Sequence, residues 1–264
     1  MATYFATVAR GLETLAATEL KNLGAQQVEL GFCGVAFEGD RALLYRVNLW
    51  SRLAFRVLLK LAEFSCHDAD DLYQGIQAID WRPYLPPDLT FAVDATGKNR
   101  RLNHTHFTAL QVKNAVVDQQ RQHWGDRSTI DTHHPEVRLN VHIQDDTCTV
   151  SLDSSGSSLH RRGYRPAVGA APLKESLAAA LVALTDWSGD VPLLDPLCGS
   201  GTLPLEASLM ALNIAPGLFR EEFGFHTWPD FDADLWDQLF QEADMSRKPK
   251  LGTWVSECDR DPAI

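Results

Sequence analysis

Eight residues constrain this chain more than any other stretch: Asp195-Pro196-Leu197-Cys198-Gly199-Ser200-Gly201-Thr202. A short apolar run, VPLLD, leads into them, and the helical pattern LPLEASLMALN follows. A glycine turn between a buried strand and a helix is where a doubly wound α/β sheet binds its ligand. Glycine at 199 and 201 lets backbone pass close to a ligand that a Cβ would hold away. The C-terminal part of the chain is therefore expected to open an α/β, Rossmann-like domain with Asp195 at a strand end.

Several ligands compete for such a turn. A phosphate-cradling loop ends in Gly-Lys-Ser/Thr, and no lysine occurs between Lys174 and Lys248. A dinucleotide fingerprint places glycine or alanine three residues past its second glycine, where this chain has Pro204. A methyl-donor site instead pairs an acid at the strand end with a short Gly-x-Gly turn, and Asp195 meets that need. A plain turn that holds nothing is the remaining alternative. A second acid favours the donor reading: Asp259, after the strand-like TWVSEC, can accept hydrogen bonds from both hydroxyls of a ribose, with Asp261 as the fallback. Its distance from Asp195 exceeds the usual ~20 residues, which the aromatic and acidic insertion 214–250 explains.

The N-terminal half reads differently. Strand patterns at 3–9, 26–38 (two strands) and 52–64 alternate with helical patterns at 11–23 and 41–50, which favours a small α+β unit. A helix over 68–79, a strand LTFAVDAT, a helix HFTALQVKNAVVDQQRQHW and the strands EVRLNVHIQ and TCTVSLDSS follow, the last pair turning at 144–147. The Gly, Ser, Ala and Pro of GSSLHRRGYRPAVGAAP suggest a linker that ends in a helix over 172–186.

Composition excludes little: 45% of the 264 residues are hydrophobic and 22% charged. No apolar run approaches the ~18 residues of a membrane span, and the N-terminus does not resemble a signal peptide. The five cysteines are odd in number and form no CxxC pair, so neither disulfides nor zinc are expected, and the compartment reads as cytoplasmic. The net charge of −11 opposes nucleic acid only if it is evenly spread. It is not. Lys98, Arg100, Arg101, Lys113, Arg121 and Arg127 form one basic island and Arg161, Arg162, Arg165 and Lys174 another, whereas residues 221–245 hold eight acids and no Lys or Arg. Lys98, Arg100, Arg101, Lys113, Arg121, Arg161, Arg162 and Arg165 are candidates for RNA phosphate contact. Tyr164 offers either a stacking face or a structural tie. The pairs His133/His134 and His104/His106 lack further ligands at metal-site spacing and read as surface histidines. Cys198, inside the glycine turn, reads as a packing residue and not as a nucleophile.

With these motifs in place, the chain resembles the THUMP-domain RNA methyltransferases. The resemblance rests on D-P-L-C-G-S-G-T, H-R-R-G-Y-R, A-P-L-K-E-S-L-A-A-A and I-A-P-G-L, joined by A-R-G-L-E, L-W-S-R-L-A, D-L-Y-Q-G-I-Q-A-I-D-W and Q-V-K-N-A-V-V-D in family order. It is greatest to the bacterial members that methylate guanine N2 in 23S ribosomal RNA. It implies a ferredoxin-like part over 1–42, a THUMP RNA-binding domain over 43–155, a linker over 156–170 and the beginning of a Rossmann-like methyltransferase domain over 171–264. It further implies S-adenosylmethionine as cofactor, held by Asp195, Pro196, Cys198, Gly199, Ser200, Gly201, Thr202 and Asp259, with 171–175 closing over its methionine end. The implied partner is 23S rRNA or a large-subunit assembly intermediate, without metal or membrane.

One departure is large. The family's Asn-Pro-Pro-Tyr signature, which would hold the target amino group, does not occur. The chain is therefore expected to be the front part of a longer enzyme, inactive in transfer by itself, with catalytic residues beyond Ile264. Three rivals stand beside this reading: an RNA-binding module with a vestigial cofactor fold, a methyltransferase of DNA adenine or protein, and a nicotinamide enzyme.

Overall fold

The structure is a computed structural model that describes residues 1–164 and 173–251 and the backbone of 255–257. Seven strands of the N-terminal half make one mixed sheet in the order β2-β3-β1-β4-β7-β6-β5. They are β1 (Ala2–Thr7), β2 (Gln26–Gly31), β3 (Gly34–Gly39), β4 (Arg56–Ser65), β5 (Phe91–Lys98), β6 (Val137–Gln144) and β7 (Thr147–Asp153). Strand β4 makes the sheet continuous, since it pairs with β1 along one edge and with β7 along the other. Only β5 and β6 run parallel. A parallel pair needs a crossover, and helix α4 (Thr105–Trp124) supplies it. The β6–β7 hairpin turns between Gln144 and Thr147, as the alternation of EVRLNVHIQ and TCTVSLDSS implies.

Helices α1 (Glu13–Asn22), α2 (Arg41–Trp50) and α3 (Ala69–Gln77) complete this half. Asp40 stops the preceding strand and starts α2, its carboxylate accepting the Leu43 N–H at 2.8 Å. Asn48 of α2 donates to Ser154 Oγ at 2.9 Å and accepts from Ser155 at 2.7 Å, so a satisfied polar bridge ties the helix to the end of β7. The strand expected over 52–64 begins only at Arg56; Leu53 and Ala54 are instead buried in a loop.

The C-terminal part begins a second sheet. Strand β8 (Leu193–Asp195) pairs in parallel with β9 (Val255–Glu257), flanked by helices α5 (Glu175–Leu184) and α6 (Thr202–Ala211). The stretch 214–250, read above as an insertion, docks back onto α2. Two 3-10 turns (Pro216–Phe219 and Gly224–Thr227) and helix α7 (Ala233–Met245) bring Phe225, Phe231 and Trp236 around Tyr45, with Phe223 packed against Phe225 and Trp236. Gly217 lies so close to α2 that a Cβ would stand 2.7 Å from the Leu49 Cα. The glycine of I-A-P-G-L is therefore a packing requirement. Among the described residues no helix is long and apolar enough to cross a membrane.

Candidate cofactor site and RNA-facing surface

Asp195 ends β8 and shapes the turn after it: its Oδ1 accepts the Leu197 N–H at 3.1 Å. Among the described residues its Oδ2 accepts no hydrogen bond. The turn closes through Gly201 N–H to the Cys198 carbonyl at 2.9 Å, and Gly201 starts α6. Gly199 (φ 54°) and Gly201 (φ 71°) both occupy the left-handed region, which costs other residues about 1–2 kcal/mol. A Cβ at Gly199 would meet nothing within 4 Å, so among the described residues open space lies above the turn. The amides at the start of α6 carry the positive end of its dipole. Cys198 Sγ donates to its neighbour's carbonyl at 3.5 Å, and Ser200 and Thr202 hydroxyls lie 3.5 Å apart. Leu197 is 85% exposed and offers an apolar face beside the acid. A carboxylate oxygen, backbone donors, open space and one apolar face fit a nucleoside that carries a cationic amino-acid tail. Pro204, buried in the first turn of α6, occupies the place a dinucleotide fingerprint reserves for a small residue. Asp195 pairs across the sheet with Glu257; Asp259 and Asp261, two and four residues further on, lie outside the described residues.

The basic islands separate into different kinds of residue. Lys98 closes β5, and Arg100 and Arg101 follow in its exposed loop. Arg101 is paired with Asp68 at 2.8 Å and Arg121 with Asp118 at 3.6 Å, whereas Lys98, Arg100 and Lys113 have no ion pair among the described residues. Phe107 and Leu110 are exposed on the adjoining start of α4, giving the charges an apolar neighbour. Arg161 is exposed, and Arg165 lies outside the described residues.

Arg162 corrects the expectation placed on it. It is 2% exposed and cannot reach a phosphate. Its guanidinium donates to the carbonyls of Leu159 (2.7 Å), Arg52 (2.6 Å) and Ser51 (3.4 Å) and lies 3.5 Å from the carboxylate of Glu206. Tyr164 takes the structural one of its two readings, since its hydroxyl donates to Glu206 Oε1 at 2.9 Å and its ring meets Phe219 edge-on. Residues 156–164, read as linker, are thus packed, and Leu159 is buried. Sequence reading missed Glu206, which is 0% exposed in the middle of α6. An acid between apolar neighbours was the one available signal, and alone it does not distinguish a solvated charge from a paired one.

His160 sits at the same junction, its ring edge-on to Phe55 and its Nδ1 2.7 Å from the Ser158 hydroxyl. Burial, reinforced by the charges of Lys174, Arg161, Arg162 and Arg220, lowers its imidazole to about 4. An unfolded histidine takes its proton near 6.5, so between those values the unfolded state binds more protons than the folded one. Stability is fully present above about pH 6.5 and declines as pH falls toward about 4. The urea midpoint should drop across that window, and less steeply in His160→Asn. Equal slopes in the two proteins would clear His160 of the effect. Among the described residues no three His, Cys, Asp or Glu side chains converge as metal ligands.

Three family models match the chain: an RlmL ferredoxin-like domain over 3–58, a THUMP domain over 66–153 and an RMKL-like methyltransferase domain over 162–261. A Synechocystis protein named as an RNA methyltransferase is 57% identical over 98% of this chain and 68% of its own length. The ribosomal RNA large subunit methyltransferase K/L of Syntrophotalea carbinolica is 47% identical over 94% of this chain, which spans 35% of that relative. Among solved structures, a methyltransferase-named protein complexed with SAH superimposes with a TM-score of 0.88 at 33% identity, covering 99% of this chain and 69% of the other.

Proposed function

The chain belongs to the THUMP-domain, S-adenosylmethionine-dependent RNA methyltransferases, and on that premise we propose that it carries the RNA-docking half and the donor turn of an enzyme that methylates guanine N2 of 23S ribosomal RNA in the cytoplasm. The observation that carries this reading is the turn itself: an acid at a strand end, two left-handed glycines and open space, joined in one chain to a THUMP domain. The relatives' names supply ribosomal RNA and SAH as the chemistry to test first.

In this reading Asp195, Pro196, Cys198, Gly199, Ser200, Gly201 and Thr202 hold the donor, with Asp259 on its ribose. The donor supplies an electrophilic methyl on a sulfonium whose departure needs no acid. The chain's task is alignment, and well-held geometry alone can contribute about 7–11 kcal/mol to such a step. The target base has to leave its stack, which favours a loop or an unfolded segment of rRNA. Lys98, Arg100, Arg101, Lys113, Arg121 and Arg161 would follow the phosphates, which position the RNA without reading its sequence.

The test is product analysis. The intact protein, given 23S rRNA and methyl-labelled donor, should yield N2-methylguanosine on nucleoside mass spectrometry. A methylated adenosine, or label in protein, would replace the acceptor named here. RNA binding without any binding of the donor would leave an RNA-binding module with a vestigial fold.

A further inference from the structure

The donor turn has few contacts of its own. Gly199 and Ser200 are exposed, Leu197 projects into solvent, and β8 is only three residues long. What places the turn is helix α6, whose N-cap is Gly201. The N-terminal half grips that helix at two levels. At its C-terminal end, Arg52 Nη2 donates to the carbonyls of Ile214 (2.8 Å) and Leu209 (3.4 Å). Leu209 lies in the last turn of α6, where its carbonyl also accepts the Ile214 N–H at 2.9 Å, so Arg52 holds the turn that closes the helix, and a cation there opposes the negative end of the dipole. In its middle, Glu206 receives the Tyr164 hydroxyl and faces Arg162, whose own guanidinium is held by the carbonyls of Ser51, Arg52 and Leu159.

Both grips lead to one short loop between α2 and β4. Glu19 of α1 clamps that loop, accepting the Ser51 hydroxyl at 2.7 Å and the Arg52 N–H at 2.8 Å. Burial pushes the Glu19 carboxyl up and the Arg52 guanidinium down, so each charge depends on the opposite charges around it. The same loop reaches the other flanking helix, because Lys174, the residue before α5, lies 5.3 Å over the ring of Phe55. The helices on either side of the donor turn are thus fastened to a single piece of the RNA-docking half.

We propose that Arg52 and Glu206 are positioning residues for the methyl donor: anchored on the 51–55 loop, they set the axial position and rotation of α6 and thereby the place of the turn at its other end. The inference rests on the reading that this turn binds the donor. A ten-residue helix is about 15 Å long and transmits a shift of one end to the other without bending. A misplacement near 1 Å at a reacting site can cost about a hundredfold. Replacing a buried ionic cluster by apolar groups often leaves stability unchanged, and in some proteins such a cluster serves to fix one geometry.

The experiment is calorimetric titration of the intact protein with SAH, in wild type, Arg52→Ala, Arg52→Lys and Glu206→Gln, each well below its melting midpoint. RNA affinity is measured on the same samples. We expect SAH to bind about tenfold more weakly to Arg52→Ala and Glu206→Gln, with Arg52→Lys intermediate because an ammonium can keep one carbonyl. RNA affinity should stay within about twofold. Unchanged SAH affinity in folded variants, even with lowered melting points, would make the cluster merely structural and overturn the proposal. If Arg52→Ala fails to fold, unchanged affinity in the two milder variants overturns it equally. A wild type that binds no SAH refutes the donor reading itself, a result distinct from wild type and variants binding alike.

Discussion

Asp195→Ala is expected to weaken SAH binding by about a hundredfold or more while RNA affinity survives. The carboxylate has two separable tasks. Its Oδ1 holds the Leu197 N–H and so shapes the turn, and its Oδ2, which accepts no hydrogen bond among the described residues, is left for the donor. A hydrogen bond to a charged group contributes about 1.5–3 kcal/mol, or roughly ten- to 150-fold, and loss of the turn's shape adds to it. Asp195→Asn keeps an acceptor for Leu197 but removes the charge. Its SAH affinity should therefore fall between wild type and alanine. Calorimetry with SAH, beside filter binding with an rRNA transcript, checks both halves. Parallel loss of donor and RNA affinity would show that the turn and the docking surface are not separate.

The second large effect separates two neighbouring arginines. Arg162→Ala removes the cation facing the buried Glu206 carboxylate, which keeps the Tyr164 hydroxyl, and takes a donor from three backbone carbonyls. Removing one partner of a buried pair costs about 3–5 kcal/mol, a large share of the roughly 5–15 kcal/mol that holds a domain together. Urea melts should show that loss, and Glu206→Gln added to Arg162→Ala should recover part of it. Arg161→Glu should leave stability within about 0.5 kcal/mol, as surface changes do. It should instead weaken RNA binding and flatten its salt dependence by about 0.7 per lost phosphate contact. A stable Arg162→Ala protein, or an unchanged salt slope in Arg161→Glu, would contradict the assignment concerned.

The contrast shows where reading a sequence stops. In H-R-R-G-Y-R the two adjacent arginines look alike, and a cluster of charges beside a tyrosine suggests an RNA surface. Which one is buried depends on Glu206, 44 positions later, and on carbonyls of a loop more than a hundred positions earlier. The 51–55 loop was hidden for the same reason. Its apolar residues read as the start of a strand, and only the packing of α1, α2 and α6 keeps them out of the sheet. The 214–250 stretch looked like an excursion because aromatic rings spaced among acids have no period. Their order comes from Tyr45 and α2, to which they return.

What the amino-acid order decided by itself is local. Asp40 before a 3.6-residue apolar rhythm is enough to start α2, and alternation with a polar turn is enough to pair β6 with β7. Asp195 and two glycines between an apolar run and a helix permit a left-handed turn at little cost, because glycine has no Cβ to oppose a positive φ. The tertiary structure alone decided that β4 would join two sheets into one. It also turned one arginine of a pair inward as an anchor and fastened the helix behind the turn to the RNA-docking half. Those outcomes are set by shared burial between distant segments, whose free energy no single stretch of chain contains.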